Sequence, residues 1–205
     1  MRRASYFEVV METKAQRRRG LELDEAILQA VWDELSAKGY GGLTLDSVAS
    51  RAGTSRPVIH RRWKSLNDLV MAALARYVAL NPISITDQGS VRSEMVLLLK
   101  RLSDRAQPHL MRILVDMRED LLKDNLSFID VPSRIGEHGL VAEILERGAN
   151  RGEIDLARIT ARIASLPIEL ARHDMLMTLK PLTDKSIEEI LDEVFLPLVR
   201  RTGEH

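Results

Sequence analysis

The sequence predicts an all-α protein: an N-terminal helix-turn-helix domain of three helices joined to a C-terminal helical bundle, about nine helices altogether. Three observations predict it. Apolar residues recur at spacings of three and four along most of the chain, as one buried helix face requires. No segment alternates with the period of two that a half-buried strand needs. Thr44, Gly53, Ser55 and Pro57 punctuate residues 43–64 into two short helices and a tight turn.

In chain order, residues 1–20 are basic and aperiodic. They are expected to be a flexible arm that either frays or follows phosphates through Arg17, Arg18 and Arg19. Leu23 to Lys38 is the first helix, capped by Asp24, with Ile27, Ala30, Val31, Trp32 and Leu35 on its buried stripe and Gly39 at its end. Leu45, Val48, Ala49 and Ala52 form the stripe of the second helix, which Thr44 caps and Gly53 closes by taking positive φ. Ser55 opens the third helix, and Pro57 sits in its first turn, where a missing N–H costs nothing. Ser65 and Asp68 start a helix to about Leu80, and residues 81–89 are a polar connector.

Beyond the connector the spacing predicts helices over Ser90 to Gln107, Pro108 to Lys123, Arg134 to Asn150, Asp155 to Thr178 with a kink at Pro167, and Thr183 to Arg201. Pro132 breaks any continuous helix between Asn125 and Ser133. These elements divide into the arm (1–20), a helix-turn-helix domain (21–65) and a larger helical domain (66–205).

Composition excludes several classes. With 45% hydrophobic and 29% charged residues, the 205-residue chain is neither disordered nor membrane-spanning, and no apolar run approaches the ~20 residues a bilayer requires. The absence of cysteine excludes disulfides and thiolate metal sites, and is consistent with a cytoplasmic location. No metal site or cofactor is expected. The histidines lack ligand spacing, and no nucleophile motif, H-E-x-x-H or glycine-rich cofactor loop is present, so an enzyme is the weakest reading. Net charge is zero, yet residues 1–76 hold 13 Lys/Arg against 9 Asp/Glu, while the remainder holds 17 against 21.

The third helix carries the functional signal. Between Thr54 and Lys64 there are four formal positive charges and no acid. At about 100° per residue, Ile59 and Trp63 share the buried face, whereas Pro57, His60, Arg61 and Lys64 point outward with Arg56 and Arg62 on the flanks. Such a helix suits a major groove. Arginine reads guanine bidentately, and Val58 and the Pro57 ring can touch a thymine methyl. The other reading is a solvated basic face on a core helix.

Residues Leu43, Thr44, Val48, Ala49, Ala52, Gly53, Thr54, Ser55, Trp63 and Lys64, with the run from Arg56 to Trp63, resemble the DNA-binding motif of the TetR family of transcriptional regulators. The segment Leu145 to Ile154 is similar to an L-x-R-G-x-x-R-G-E-[IL] stretch in the family's C-terminal domains. The resemblance implies DNA contacts from Thr44, Ser55, Arg56, Pro57, Val58, His60, Arg61, Arg62 and Lys64. His60 stands where the family usually has Tyr, so its phosphate contact becomes pH-dependent. A homodimer on a palindromic double-stranded operator is also implied, paired through the last two helices by Leu166, Leu170, Ile187, Ile190, Leu191, Val194, Phe195 and Leu198; the alternative is that these stripes close the protomer's own core. The middle helices would enclose a small lipophilic effector among Met95, Leu99, Leu102, Met111, Leu114, Met117, Phe128, His138 and His173, or pack as ordinary core. The expected function is a repressor released from its operator by that effector. The alternative is a DNA-binding protein of the same fold with no effector.

Overall fold

The computed structural model describes residues 6–106, 108–136, 139 and 141–200 of the chain, the side chains of 6–19, 108 and 109 excepted. Among these residues there is no strand, only an isolated bridge between Ile154 and Arg200. The chain forms two compact units, Met1–Tyr77 and Val78–His205, a division later than the boundary after residue 65 that the sequence suggests.

The first unit holds α1 (Tyr6–Lys38), α2 (Leu45–Arg51), α3 (Arg56–His60) and most of α4 (Leu66–Leu80). The expected flexible arm is replaced over residues 6–20 by helix: α1 is 33 residues long. The reason is local. No proline interrupts residues 6–38, and the segment is rich in Glu, Lys, Gln, Arg and Met, whose rotamers lose little in a helix. Asp24 therefore lies inside α1 rather than capping it. Ile27, Val31 and Leu35 are buried as their spacing requires, and Trp32 stacks on Tyr77 with ring centroids 4.2 Å apart. Leu69, Val70 and Leu74 of α4 complete this core.

The second unit contains α5 (Val91–Ala106), α6 (Pro108–Asp116), α7 (Arg118–Lys123), α8 (Val131–Arg134), α9 (Ala142–Asn150), α10 (Ala161–Thr178), α11 (Asp184–Glu188) and α12 (Leu196–Val199). Helices α6, α9, α10 and α11 all pack on α5 or its neighbours, and Met95, Leu98, Leu99, Ile144, Met175, Leu191 and Phe195 meet in the interior. Four boundaries differ from the spacing, the first being a break at Met117 that divides the helix expected from Pro108 to Lys123 into α6 and α7. The helix expected from Arg134 starts only at Ala142, because Gly136 and Gly139 take φ of 83° and 73°. The helix expected from Asp155 starts at Ala161, where Thr160 Oγ1 accepts from Ile163 N at 3.3 Å. The last helix widens into a π-helical stretch, Glu189–Phe195, just before Pro197, whose missing N–H cannot continue the regular ladder.

The segment from Leu145 to Ile154 turns out to be a joint. Arg147 and Arg151, one turn apart, reach the fully buried carboxylate of Glu94 at 2.6 and 3.0 Å. Gly148 lets α9 lie against α5, since a Cβ there would stand 2.1 Å from Val91 Cγ2. Gly152 turns the chain at φ 80°, and Glu153 then accepts from Val91 N at 2.8 Å, capping α5 from a distant part of the chain.

Candidate nucleic-acid interface

Two short helices and the turn between them build the site. Thr44 Oγ1 accepts from Ser47 N at 3.1 Å, and the Ser47 hydroxyl answers Thr44 N, so the start of α2 is capped reciprocally. The O–H of Thr44 is left to donate outward. Gly53 at φ 62° ends α2. Thr54 N bonds Ala49 O at 2.9 Å, and Gly53 N bonds Ser50 O at 3.3 Å, which satisfies the last carbonyls of the helix. Ser55 then begins α3 in extended conformation, although its hydroxyl makes no capping bond. Val48, Ala49 and Ile59 are buried, so α3 is held by its one apolar side.

The helix is shorter than its spacing suggests. It ends at His60; Arg61 to Lys64 form a turn, and Trp63 is half-buried. The cause is Arg62, whose Nη1 donates to Val58 O at 3.3 Å and whose Nε pairs with Asp24 of α1. Arg62 thus stops α3 and, though still an exposed residue, is tied to the scaffold. Arg56 is exposed and held by Asp46 at 3.3 Å. Thr44, Ser55, Pro57, His60, Arg61 and Lys64 are exposed and Val58 is half-buried. Among the described residues neither Arg61 nor Lys64 has an acidic partner, so their charge is presented to solvent.

Sequence spacing gives no sign of the ionic frame behind this surface. Glu34 of α1 is buried and binds Lys38 Nζ at 2.7 Å and Arg51 of α2 at 2.7 Å. Hydrogen bonds from Lys38, then Arg51, then the Ser47 hydroxyl hold its carboxyl down to about 2. Because the folded value lies below the ordinary carboxylate value of 4.5, the stabilisation is complete above that pH and is lost as pH falls toward 2. Glu34→Gln should therefore flatten the loss of melting temperature between pH 6 and pH 3. Parallel curves for the two proteins would show that Glu34 plays no part.

In the second unit, Met95, Leu99, Leu102, Met111 and Met117 are core residues, and Leu114 and Phe128 are half-buried. His173 is exposed, which removes it from any enclosed pocket, and His138 lies outside the described residues. A cavity of about 480 Å³ opens instead between α9 and α10, bordered by Leu145, Leu156, Ile159, Ala164 and Ile168; none of the nine expected residues lines it. Of the pairing residues, Ile187, Ile190, Leu191 and Phe195 are buried inside the protomer, because the terminal segment packs on both α5 and α10. Leu166 and Leu170 are half-buried, and only Val194 and Leu198 stand out, 39% and 46% exposed. Among the described residues no cluster of acidic or histidine side chains is placed to hold a metal ion, and no helix is long and apolar enough to cross a membrane.

A capped, glycine-turned helix pair with a bare basic edge, on an all-helical chain, defines a helix-turn-helix protein. Residues 27–73 match the family described as bacterial regulatory proteins, tetR family, and residues 85–194 match the tetracyclin repressor-like C-terminal domain. An HTH-type transcriptional regulator of Mycobacterium tuberculosis is 30% identical over 177 residues, 82% of this chain and 84% of the relative. The DNA-binding transcriptional repressor TetR of Mycobacteroides abscessus is 27% identical over 196 residues, 89% of this chain and 96% of the relative. Among solved structures, a TetR transcription regulator from Haloarcula marismortui shares the fold at a TM-score of 0.59 and 20% identity, covering 88% of this chain and 99% of that one. The chain belongs to the TetR family of transcriptional regulators and is a DNA-binding regulator of transcription rather than an enzyme.

Proposed function

We propose that the protein is a repressor which binds a palindromic operator as a homodimer and leaves it when a small lipophilic effector enters the second unit. The observation that carries this is the exposed Arg61 and Lys64 in the turn after α3, without an acidic partner among the described residues, on a unit continuous through α4 with a separate helical domain. The repressor named in Mycobacteroides abscessus supports the sign of regulation. One recognition helix reads too few base pairs to find a genomic site, and pairing two half-sites multiplies the discrimination. The exposed Val194 and Leu198, with the half-buried Leu166 and Leu170, supply an apolar pairing face on α10 and the terminal segment. The cavity between α9 and α10 gives an effector room, and Met95, Met111 and Met117 give a core able to repack around one. The complete burial of Met95, Leu99 and Met117 favours a second reading, the same DNA-binding fold with no effector.

Selecting bound sequences from a random DNA pool, then measuring affinity at fixed salt, tests the DNA contacts. Arg61→Ala should weaken the selected site by about 1–3 kcal/mol and relax preference at one base pair, as loss of a base contact does. Lys64→Ala should weaken all sequences equally and lower the salt dependence, as loss of a phosphate contact does. Equal, small effects from both would reassign α3.

A further inference from the structure

Residues 81–89 leave α4 and reach α5 without entering a helix, and among the described residues no backbone–backbone hydrogen bond reaches 82–89. An extended segment with no ladder must find its donors elsewhere. Gln88 Nε2 donates to Thr86 O and Asp87 O within the segment; from outside it, three arginines reach backbone carbonyls and a fourth holds a side chain. On α5, Arg101 Nη1 donates to Ser84 O, and Arg105 Nη1 donates to Asn81 O at 3.4 Å. On α9 and its cap, Arg147 Nη2 donates to Ile85 O at 3.1 Å and Arg151 Nη1 to the Asp87 carboxylate at 2.9 Å. Glu94 sits between the last two and accepts from Gln88 N at 3.5 Å, while the Ile85 side chain is buried below.

Helix α9 faces both ways. Ala142, Leu145 and Glu146 border the cavity shared with α10, and Arg147 and Arg151 hold the segment on the opposite side. At 100° per residue, residues 142, 145 and 146 lie about half a turn from 147 and 151. A second cavity of about 220 Å³, bordered by Ile83, Ser84, Ile85, Leu98 and Arg147, leaves the segment room to shift.

We propose that residues 81–89 are a strap, clamped by these arginines, through which α9 passes the state of its cavity to α4. This rests on the DNA-binding reading above. An occupant wedged between α9 and α10 moves α9. Arg147 and Arg151 move with it, and the strap, continuous with the last turn of α4, loses its seat. The seated strap is the DNA-competent state, so loosening it lowers the competent population and the apparent affinity by the same factor.

Hydrogen–deuterium exchange and affinity for the selected DNA test this on the full chain. Arg101→Gln removes one exposed clamp and leaves Glu94 paired; Arg147→Lys keeps the charge but loses the fork. Ala164→Phe fills the α9–α10 cavity from within. In all three, exchange over residues 83–88 should rise about tenfold at Gln88, whose N–H bonds the Glu94 carboxylate, while amides of α5 and α10 keep wild-type protection, and affinity should fall about two- to thirtyfold, the range of ordinary coupling energies. Unchanged exchange over 83–88 would overturn the clamp. Faster exchange with unchanged affinity would overturn the coupling. Wild-type protein that selects no sequence would remove the DNA reading, and the exchange result would still decide whether the strap is clamped.

Discussion

Ile59→Ala should abolish most specific DNA binding, although Ile59 touches no DNA. Its side chain is 1% exposed and is the buried anchor of a helix only five residues long. A helix of that length has no stability of its own in water, because the nucleation cost is spread over one turn. The direction in which Arg61 and Lys64 project is therefore set by Ile59 seated on the first unit's core and by the Arg62–Asp24 tie. Truncating a buried isoleucine to alanine costs about 2–5 kcal/mol, a large part of what a domain of this size has. Both tryptophans, Trp32 and Trp63, lie in the first unit, so intrinsic fluorescence follows its unfolding alone. Denaturant titration of Ile59→Ala should show that unit melting early, with the circular-dichroism signal of the second unit retained. Ile59→Val removes one methylene and should cost about 0.5–1.5 kcal/mol with DNA binding largely kept. Full specific binding by the alanine variant, at normal fluorescence, would mean that α3 is positioned by something else.

What could be read in advance follows from how local each device is. Thr44, Gly53 and Pro57 act on neighbours one to five residues away, and all three behave as their chemistry requires. The stripe of Ile27, Val31 and Leu35 needs only the helical period, and it is buried. The failures have long-range causes. The spacing puts Arg62 on a flank of the helix among the expected DNA contacts, but its partner Asp24 is 38 positions away and no spacing rule connects them. Ile187, Ile190, Leu191 and Phe195 make a wide stripe, and width alone cannot separate a pairing face from a core contact when the chain folds back on α5 and α10. The segment from Leu145 to Ile154 was visible as a pattern, while its meaning depended on Glu94 and Val91, more than fifty positions earlier in the chain.

That joint also gives the largest expected change in stability. Glu94→Ala should destabilise the second unit by about 3–5 kcal/mol, the usual effect of removing one partner of a buried ion pair. Glu94 is fully buried and is shared by Arg147 and Arg151, themselves only 25% and 23% exposed. Removing the carboxylate takes away the acceptor the two arginines share; Arg151 keeps Asp87 at 2.9 Å and Glu153 at 2.5 Å, so the charge left behind is chiefly that of Arg147, and Nη2 of Arg151 already lacks a hydrogen-bond partner. The penalty therefore comes from stranded charge more than from a lost attraction, which separates two variants. Glu94→Gln keeps one acceptor oxygen, loses the charge and turns an amide N–H toward the other arginine, and should fall between wild type and Ala. Glu94→Leu combined with Arg147→Met and Arg151→Met removes all three charges with similar volume and should recover much of the loss, because buried ion clusters seldom outperform well-packed apolar side chains. Calorimetry of the three variants decides the point. If the triple variant melts no higher than Glu94→Ala, the joint depends on the hydrogen bonds to Ile85 O and Asp87 rather than on charge balance around Glu94.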